Sequence, residues 1–365
     1  MPGVYISYPF CRQKCSFCNF ASDVGSPETR ERYHAALLEE FDSYTWPWMP
    51  ETVYFGGGTP SLMPAELLAE LMKRIPAERL EEVTIESAPG TFTREAVQRW
   101  RVSGVNRVSL GVQSFMPDEL RLTGRRHTAA RVQQDIELLR QEGIANINCD
   151  LIAGLPEQTA SSWKTSLEWI ECLNVPHVSV YIFESDEDSR LGKELSLGGV
   201  RYGAARMPSE ELTAAFYERA VARLAESGLE QYEISNFARP GFESRHNLKY
   251  WQLEPYTGFG LDAHSYDGQM RWSNPDSLPE YLNSLHAARE RVTTDAAEEH
   301  FFVGLRLRNG IEPTAAEWAR FAGPIEKWTA TGMLELQGSR LRLSSSGVLL
   351  SNEIFQEFVL CPEMV

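Results

Sequence analysis

Short apolar, β-branched runs alternate with longer helical patterns through the first half of the chain, and this alternation limits the folds available to it. Six such runs predict strands, namely Val4–Tyr8, Thr52–Phe55, Val83–Glu86, Arg107–Val112, Asn146–Ile152 and His177–Phe183. Strands that alternate with helices pair in parallel and connect through right-handed crossovers. The sequence therefore predicts an α/β fold, with a partial (β/α)6 barrel over residues 1–185.

The distinctive polar residues of this half stand where the predicted strands end. The features that follow strands one to five are Cys11–Cys18, Gly56–Pro60, Glu86, Gln113 and Asp150. Ligands of parallel α/β sheets gather at the carboxyl ends of the strands. A random scatter would not place every feature at the same end, so the sequence predicts one shared site.

Three cysteines, Cys11, Cys15 and Cys18, follow the first predicted strand in the spacing C-x3-C-x2-C. A cubane iron–sulfur cluster is normally held by four thiolates, and structural zinc also takes four ligands. Three thiolates on a [4Fe-4S] cluster leave one iron open to a small molecule that carries an amine and a carboxylate. The alternative is three ordinary buried cysteines, because free cysteine often packs as a small hydrophobic residue.

The composition argues against several classes of protein. The net charge is -16 and the isoelectric point is near 5.0, whereas a nucleic-acid-binding protein needs a basic surface. The remaining cysteines, Cys149, Cys172 and Cys361, are scattered and indicate no disulfide framework; the first two lie in apolar stretches and are expected in the core. We find no signal peptide and no apolar run of about 18 residues, so a cytoplasmic protein without a membrane span is predicted.

The strand–helix alternation stops near Glu184. Residues 186–295 contain an amphipathic helical pattern and then a segment rich in aromatic residues and glycine, 231–275, which is predicted to cover the open barrel as a lid. Residues 296–365 show three helical patterns, a hairpin-like pair of strands and a last helix near Val348–Val359. This combination predicts a small winged-helix-like α+β domain at the end of the chain.

The order of these motifs resembles the radical S-adenosylmethionine (SAM) superfamily, in which the methionine end of SAM occupies the open iron. The resemblance assigns cofactor-binding roles to Tyr5, Phe17, Gly57, Gly58, Thr59, Glu86, Gln113, Arg125 and Asp150. The Glu86 carboxylate can accept hydrogen bonds from ribose hydroxyls, and the Arg125 guanidinium can pair with the SAM carboxylate. Taken singly, the glycines could form an ordinary turn, Glu86 could be a satisfied strand-end carboxylate, and the others could be surface residues.

Within that superfamily the chain resembles, over nearly its whole length, the family of oxygen-independent coproporphyrinogen III dehydrogenase and its relatives. The shared stretches are GVQSF at 111–115, GRRH at 124–127 and DLIAGLP at 150–156. Phe20 stands where the dehydrogenase has a further cysteine, and RHNLKYW at 245–251 matches the H-N-x-x-Y-W signature of the HemW-type haem chaperones. Ser7 departs from both branches, which usually have histidine there, and this weakens the case for porphyrinogen oxidation.

The resemblance implies haem as a cargo and makes His246, Tyr250 and Trp251 candidate haem contacts. A neutral imidazole is a common ligand of haem iron, and aromatic rings can stack on a porphyrin face. The alternative is a histidine hydrogen-bonded inside the lid beside two packing aromatic residues. His264 is a second candidate ligand.

The predicted function is that of a radical SAM haem chaperone, which binds haem and passes it to an unidentified acceptor protein at the membrane face. Its cofactors would be a [4Fe-4S] cluster and SAM, it would need a reductant, and SAM would serve a regulatory or reductive role. The alternative function is an oxygen-independent coproporphyrinogen III dehydrogenase, which converts propionates to vinyl groups by radical decarboxylation. A third candidate is a radical SAM enzyme with an unrelated substrate.

Overall fold

The computed structural model describes residues 2–285 and 287–359, and over these residues a twelve-stranded sheet forms the centre of the molecule. The strands are β1 (Gly3–Tyr8), β2 (Thr52–Gly57), β3 (Glu82–Ser87), β4 (Arg107–Gln113), β5 (Asn146–Ala153), β6 (His177–Ile182), β7 (Glu230–Gln231), β8 (Asn236–Ala238), β9 (Tyr256–Phe259), β10 (His264–Tyr266), β11 (Met270–Ser273), β12 (Val292–Thr293), β13 (Leu334–Gln337) and β14 (Arg340–Leu343). The last two pair as a separate hairpin.

The helices that the structure describes lie between and after these strands. They are α1 (Pro27–Ser43), α2 (Ala65–Arg74), α3 (Arg94–Val102), α4 (Pro117–Leu122), α5 (Ala129–Gln141), α6 (Ala160–Leu173), α7 (Arg190–Ser196), α8 (Glu210–Glu226), α9 (Arg245–Trp251), α10 (Leu278–Asn283), α11 (Ala296–Gly304), α12 (Ala315–Arg320), α13 (Ala322–Ala330), α14 (Ser345–Leu349) and α15 (Ser351–Gln356). Short 3-10 segments occur at Pro60–Leu62 and Arg201–Arg206.

The six predicted strands are confirmed as β1 to β6, which pair in parallel and in chain order. The full sheet has the order β12-β11-β10-β9-β1-β2-β3-β4-β5-β6-β8-β7, with no hydrogen-bonded closure of its ends among the described residues. The α/β class and the partial barrel predicted from the alternation are therefore confirmed.

The two faces of β1 to β6 differ in polarity because successive side chains of a strand point to opposite sides. The outward side chains, such as Val53, Phe55, Val108 and Leu110, are buried in one core with the surrounding helices. Helix α1 begins after Ser26, whose hydroxyl accepts the Thr29 N–H, and Pro27 occupies its first turn. The inward side chains are mainly polar, and they bond one another across the barrel.

The segment predicted as a lid instead extends the sheet at both edges. Strand β9 pairs in parallel with β1, β10 to β12 continue antiparallel beyond it, and β8 and β7 add to the β6 edge. An edge strand leaves a row of backbone donors and acceptors open, and these short strands satisfy them. This pairing makes the segment part of the sheet at both of its edges.

The C-terminal module consists of α11 to α13, the β13–β14 hairpin, α14 and α15. The single last helix predicted near Val348–Val359 is wrong in detail, because the chain breaks at Leu350 (φ -111°, ψ 22°) into two short helices. None of the helices in the described part of the chain is long and apolar enough to cross a membrane.

The scattered cysteines differ in environment. Cys149 is fully buried on the outward face of β5, as predicted, and burial raises the pKa of its thiol. The prediction that Cys172 belongs to the core is wrong, because α6 turns Ile170 and Leu173 inward and leaves Cys172 exposed. Cys361 lies outside the described residues.

Candidate functional site

A cavity of about 810 Å³ opens at the carboxyl ends of β1 to β6. The predicted site residues that line it are Cys11, Cys15, Phe17, Cys18, Gly57, Gly58, Thr59, Glu86, Gln113, Arg125 and Asp150. The loops after five different strands thus bring these residues to one place. Tyr5 lies one layer deeper, where its ring packs beneath Gly56 and against Tyr54 at 6.1 Å between ring centroids.

The three thiols lie on the irregular loop between β1 and α1. The loop is held by backbone bonds from Cys11 N–H to the Asp23 carbonyl (2.8 Å) and from Ser16 N–H to the Thr123 carbonyl (3.1 Å). Cys11 is buried, whereas Cys15 and Cys18 are partly exposed. Burial raises the pKa of the Cys11 thiol, a hydrogen bond from the Thr59 hydroxyl (3.4 Å to Sγ) opposes the shift, and the two other thiols add to it.

This donor set fits an iron–sulfur cluster better than a single ion. Within residues 2–285 and 287–359, no three His, Cys, Asp or Glu side chains converge as ligands of one metal ion. A cubane binds each thiolate to a different iron, so its thiolates need not meet at one point. Three cavity-lining thiols on one loop satisfy that requirement and leave one cluster position for a ligand that is not a cysteine.

The glycines at the end of β2 allow the next loop to pack against the cysteine loop. A Cβ on Gly58 would lie 2.5 Å from the Pro9 carbonyl oxygen and 3.0 Å from Cys11 Sγ. Gly57 has φ of +105°, a conformation that side chains with a Cβ rarely adopt. The backbone of this loop is therefore brought close to the position of a cluster ligand.

Two buried carboxyl groups face the cavity from β3 and β5. The Tyr54 hydroxyl donates to Glu86 Oε1 (2.8 Å), and the Asn148 amide donates to Asp150 Oδ1 (2.7 Å). Burial raises the pKa of Glu86 to about 7, hydrogen bonds from Tyr54 and the Gly57 backbone oppose the shift, and Asp150 adds to it. Burial also raises the pKa of Asp150. These carboxyl groups are suited to accept hydrogen bonds from hydroxyl groups of a ligand.

The end of β4 offers donors for a carboxylate. Arg125 Nη1 donates to the Gly111 carbonyl (3.3 Å), and a Cβ placed on Gly111 would lie 3.0 Å from Gln113 Nε2 and 3.6 Å from Arg125 Nη2. Both side chains therefore converge above Gly111. Gln113 Oε1 and Arg125 Nε are buried and have no hydrogen-bond partner within the described part of the chain. Unpaired buried polar atoms are costly, so this corner is built to receive a polar ligand such as an amino-acid group.

Sequence reasoning missed residues that hold these groups in place. Tyr54 and Asn148 were not identified, although strand alternation could have placed both on the inward face beside Glu86 and Asp150. His127 also lines the cavity, and only its place in the GRRH stretch signalled it. Arg12 and Arg126 add positive charge at the rim.

The candidate haem residues lie at the opposite, amino-terminal end of the barrel. His246 is fully buried, with Nδ1 2.8 Å from the Thr52 hydroxyl and Nε2 2.8 Å from the Tyr250 hydroxyl. Burial lowers the pKa of His246 to about 3, and Lys249 and Arg107 add to the shift. Both ring nitrogens are thus already bonded, as the packed-histidine alternative requires, and the imidazole presents no open ligand position in this arrangement.

The other candidate haem residues also lie outside the lining of the cavity. Tyr250 packs edge-on against Tyr256 with ring centroids 4.6 Å apart. The guanidinium of Arg306, from the C-terminal module, lies 5.1 Å from the centre of the Trp251 ring. His264 is exposed and 3.8 Å from the Asp262 carboxylate. None of these residues lines the cavity, whose described lining comes from residues 11–186.

The fold and this site together define a radical SAM protein. Residues 5–170 match the family model of the radical SAM superfamily, and residues 293–350 match that of the HemN C-terminal domain. Coproporphyrinogen III oxidase (HemN) from Escherichia coli superposes with a TM-score of 0.81 at 21% identity, covering 98% of this chain and 89% of that one. At that identity the superposition shows the shared fold.

Curated relatives narrow the assignment. The chain is 34% identical to the heme chaperone HemW of Lactococcus lactis, covering 98% of this chain and 97% of that protein. It is 32% identical to the heme chaperone HemW of Bacillus subtilis (98% and 99% covered). A mitochondrial radical S-adenosyl methionine domain-containing protein 1 of Danio rerio is 30% identical (99% and 88% covered). The chain belongs to the HemW family of radical SAM proteins.

Proposed function

We propose that this protein is a haem chaperone that holds a [4Fe-4S] cluster through Cys11, Cys15 and Cys18, binds SAM beside it and transfers haem to an acceptor protein. One observation carries the proposal. In a member of the HemW family, three thiols meet at one cavity with Glu86, Gln113 and Arg125, whose polar groups are suited to the ribose and the amino-acid end of SAM.

The residues of the cavity divide the recognition of SAM among them. Arg125 and Gln113 would receive the methionyl carboxylate, because their donors converge above Gly111. The close backbone of Gly57 and Gly58 would accept the amino group, and Glu86 would accept the ribose hydroxyls. Tyr5 supports Gly56 from below. The cluster, when bound, would supply an electron to the SAM sulfonium.

The chaperone role is supported by the side chain at position 20. Phe20 lines the mouth of the cavity and is 63% exposed. It presents an apolar surface at the position where the related dehydrogenases have a further cysteine. An exposed apolar ring suits an apolar cargo and adds no fourth thiol to the cysteine loop.

Coproporphyrinogen III dehydrogenase is the second candidate function, since the cavity of about 810 Å³ could hold more than SAM. The residue at position 7, where both branches usually have histidine, argues against this function. Ser7 is buried, donates no imidazole proton and does not line the cavity; its Oγ lies 3.0 Å from the place of a Cβ on Gly57. We therefore propose cargo binding without porphyrinogen oxidation.

An anaerobic haem titration of the cluster-reconstituted protein, followed by absorbance, tests the proposal. Coproporphyrinogen turnover is assayed on the same sample with SAM and a reductant. We expect a saturable haem band and no vinyl product. Turnover with SAM cleavage and no specific haem band would make the protein a dehydrogenase despite Phe20, and the absence of both signals would indicate a radical enzyme with another substrate.

A matched pair of variants shows whether the bound haem is specific. Phe20→Ala removes the exposed ring at the cavity mouth, whereas Val24→Ala removes an exposed apolar side chain from the same loop that does not line the cavity. Specific binding at the cavity predicts weaker haem affinity for the first variant alone. Equal losses would indicate non-specific adsorption to apolar surface.

A further inference from the structure

Three arginines that have no part in the proposed binding of SAM line the mouth of the cavity. Arg12 belongs to the cysteine loop, Arg126 to the loop after α4 and Arg131 to the first turn of α5. We call these three side chains the arginine rim. The chain as a whole has a net charge of -16, so this positive edge is a local feature and does not reflect the general composition of the surface.

The turn after β3 holds two of these guanidinium groups. The Gly90 carbonyl accepts a hydrogen bond from Arg12 Nη1 (3.3 Å), and a Cβ placed on Gly90 would lie 3.5 Å from Arg131 Nε. The Asp135 carboxylate accepts the Gly90 N–H (2.7 Å) and pairs with Arg131 Nη2 (2.9 Å). Arg12 and Arg131 are therefore brought to the same turn, although they lie far apart in sequence.

The protein neutralises only part of the charge of the arginine rim. Arg131 pairs with Asp135, whereas Arg12 and Arg126 are exposed and form no ion pair within residues 2–285 and 287–359. Arg131 Nε is also buried without a hydrogen-bond partner in that part of the chain. Guanidinium groups bind carboxylates through paired, charge-assisted hydrogen bonds. Two positive charges without a carboxylate partner suit a ligand that carries more than one carboxylate.

The far end of the cysteine loop gives the mouth a second, apolar side. Phe17 and Phe20 line the cavity from this loop, and Phe183 lines it from the segment after β6. Asn19 Nδ2 donates to Asp186 Oδ2 (2.9 Å), which ties this end of the loop to the same segment. The arginine rim thus lies at the turn after β3, and the apolar side lies after β6, three strands away in the sheet.

We propose that the arginine rim binds the propionate groups of the haem cargo, while the macrocycle lies against the apolar side of the cavity mouth. Because it names a binding site for the proposed cargo, this inference rests on the proposed function. Haem carries its propionates along one edge of an apolar macrocycle, which matches the two sides of the mouth. Glu184 and Asp186 line the apolar side, and their charges would repel propionates placed there.

The test compares binding of haem with binding of haem dimethyl ester, whose propionates carry no charge, in the same detergent. The variant Arg12→Gln/Arg126→Gln keeps two long polar side chains and removes both unpaired charges. We expect this variant, with its cluster reconstituted, to bind haem about tenfold more weakly than the wild type, as two exposed ion pairs would contribute. The difference should shrink as the salt concentration rises. Both proteins should bind the ester equally well.

The matched control is Arg32→Gln/Arg219→Gln. It removes the same charge from two exposed arginines, on α1 and α8, that do not line the cavity. Haem affinity of this variant should remain at the wild-type value. An equal loss of haem affinity in both double variants would overturn the proposal, because it would show an effect of net charge and not of a binding site.

Binding of SAM, measured anaerobically by equilibrium dialysis, separates the cargo from the cofactor. Arg12→Gln/Arg126→Gln should bind SAM as tightly as the wild type does, since neither residue is needed for the proposed SAM contacts. Weaker binding of SAM with unchanged binding of haem would assign the arginine rim to the cofactor and overturn the proposal.

The remaining outcomes distinguish this inference from the proposed function. A wild type that binds neither haem nor its ester saturably would overturn the function and the inference together. Wild-type haem affinity in Arg12→Gln/Arg126→Gln, or equal losses for haem and the ester, would overturn the role of the arginine rim alone. If the double variant does not fold, Arg126→Gln decides, because Arg126 forms no hydrogen bond with the described residues.

Discussion

At the scale of single residues, the site follows from the alternation of side chains along parallel strands. Glu86 and Asp150 could be placed at the cavity from the sequence, because each stands near the end of an apolar run. The residues that hydrogen-bond these two carboxyl groups were not recognised from the sequence. The bond from Tyr54 to Glu86 joins residues 32 apart in sequence, and that from Asn148 to Asp150 lies inside the barrel. The first pairing depends on strand register, which the sequence pattern leaves open. The second joins residues two apart on β5, which alternation alone places on one face.

The raised pKa of Glu86 predicts that SAM affinity increases with pH. The carboxylate accepts hydrogen bonds from hydroxyl groups more strongly than the neutral acid, and its pKa near 7 means that the anion forms between about pH 6 and 8. We expect Glu86→Gln to bind SAM more weakly at pH 8, by roughly 2 kcal/mol. The measurement is a SAM titration of both proteins at pH 6 and pH 8.

The comparison between the two proteins removes any titration of the ligand itself. A slope of affinity with pH that is the same in wild type and Glu86→Gln would contradict the assignment.

The stability of the protein gives a second check on the pKa of Glu86, with the opposite dependence on pH. A carboxyl group whose pKa is raised in the folded state binds its proton more tightly there than in the unfolded state. Its contribution to the free energy of unfolding therefore falls as pH rises from about 4.5 to 7. Glu86→Gln should therefore melt higher than the wild type at pH 8.

Replacement of Cys15 by serine is expected to remove the cluster and to preserve the fold. Cys15 is partly exposed on an irregular loop, so little packing is lost, whereas serine is a poor ligand for iron. The measurements are iron content, visible absorbance and far-ultraviolet circular dichroism. Cys172→Ser, which changes an exposed thiol on α6, is the control and should retain the cluster. Unchanged iron in Cys15→Ser would refute the central assignment.

At the scale of elements, strands β1 to β6 were predictable and α9 was not. The six strands are apolar runs that alternate with helical patterns, so the sequence identifies them without knowledge of the strands they pair with. Helix α9 has only seven residues, and its position depends on distant groups. The Glu82 carboxylate, at the start of β3, accepts the N–H groups of Arg245 and His246 (2.9 and 3.1 Å). These contacts fix α9 at the floor of the barrel.

This location predicts a structural effect for His246→Ala. The substitution leaves a cavity and removes the hydrogen-bond partner of Thr52 and of Tyr250, so we expect a loss of about 2–4 kcal/mol of stability. Thermal or denaturant unfolding measures the loss, with the exposed His264→Ala as control. Haem affinity of the folded variant should be unchanged. Weaker haem binding with an unchanged melting temperature would instead support His246 as a haem ligand.

At the scale of the whole molecule, the C-terminal module joins the two ends of the open sheet. On one side, Glu299 of α11 bonds Arg271 of β11 through two hydrogen bonds (2.8 and 2.6 Å). On the other side, the Ile234 N–H donates to the Arg306 carbonyl and the Arg308 N–H to the Tyr232 carbonyl, next to β8. The sequence predicted the module but not this role, because the contacts link short strands whose pairing has no local pattern.

These contacts predict that the barrel and the module unfold together. Far-ultraviolet circular dichroism and the absorbance of the cluster should report one thermal transition in wild type. Glu299→Ala removes a half-buried ion pair with two hydrogen bonds. We expect the free energy of unfolding to fall by roughly 1–2 kcal/mol, which lowers Tm by about 2–4 °C for a chain of this size. Glu168→Ala, which breaks the exposed pair with Lys164, is the control and should shift Tm little. Two separate transitions in the wild type would mean that the module folds by itself, and the sheet ends would then be held by contacts other than these.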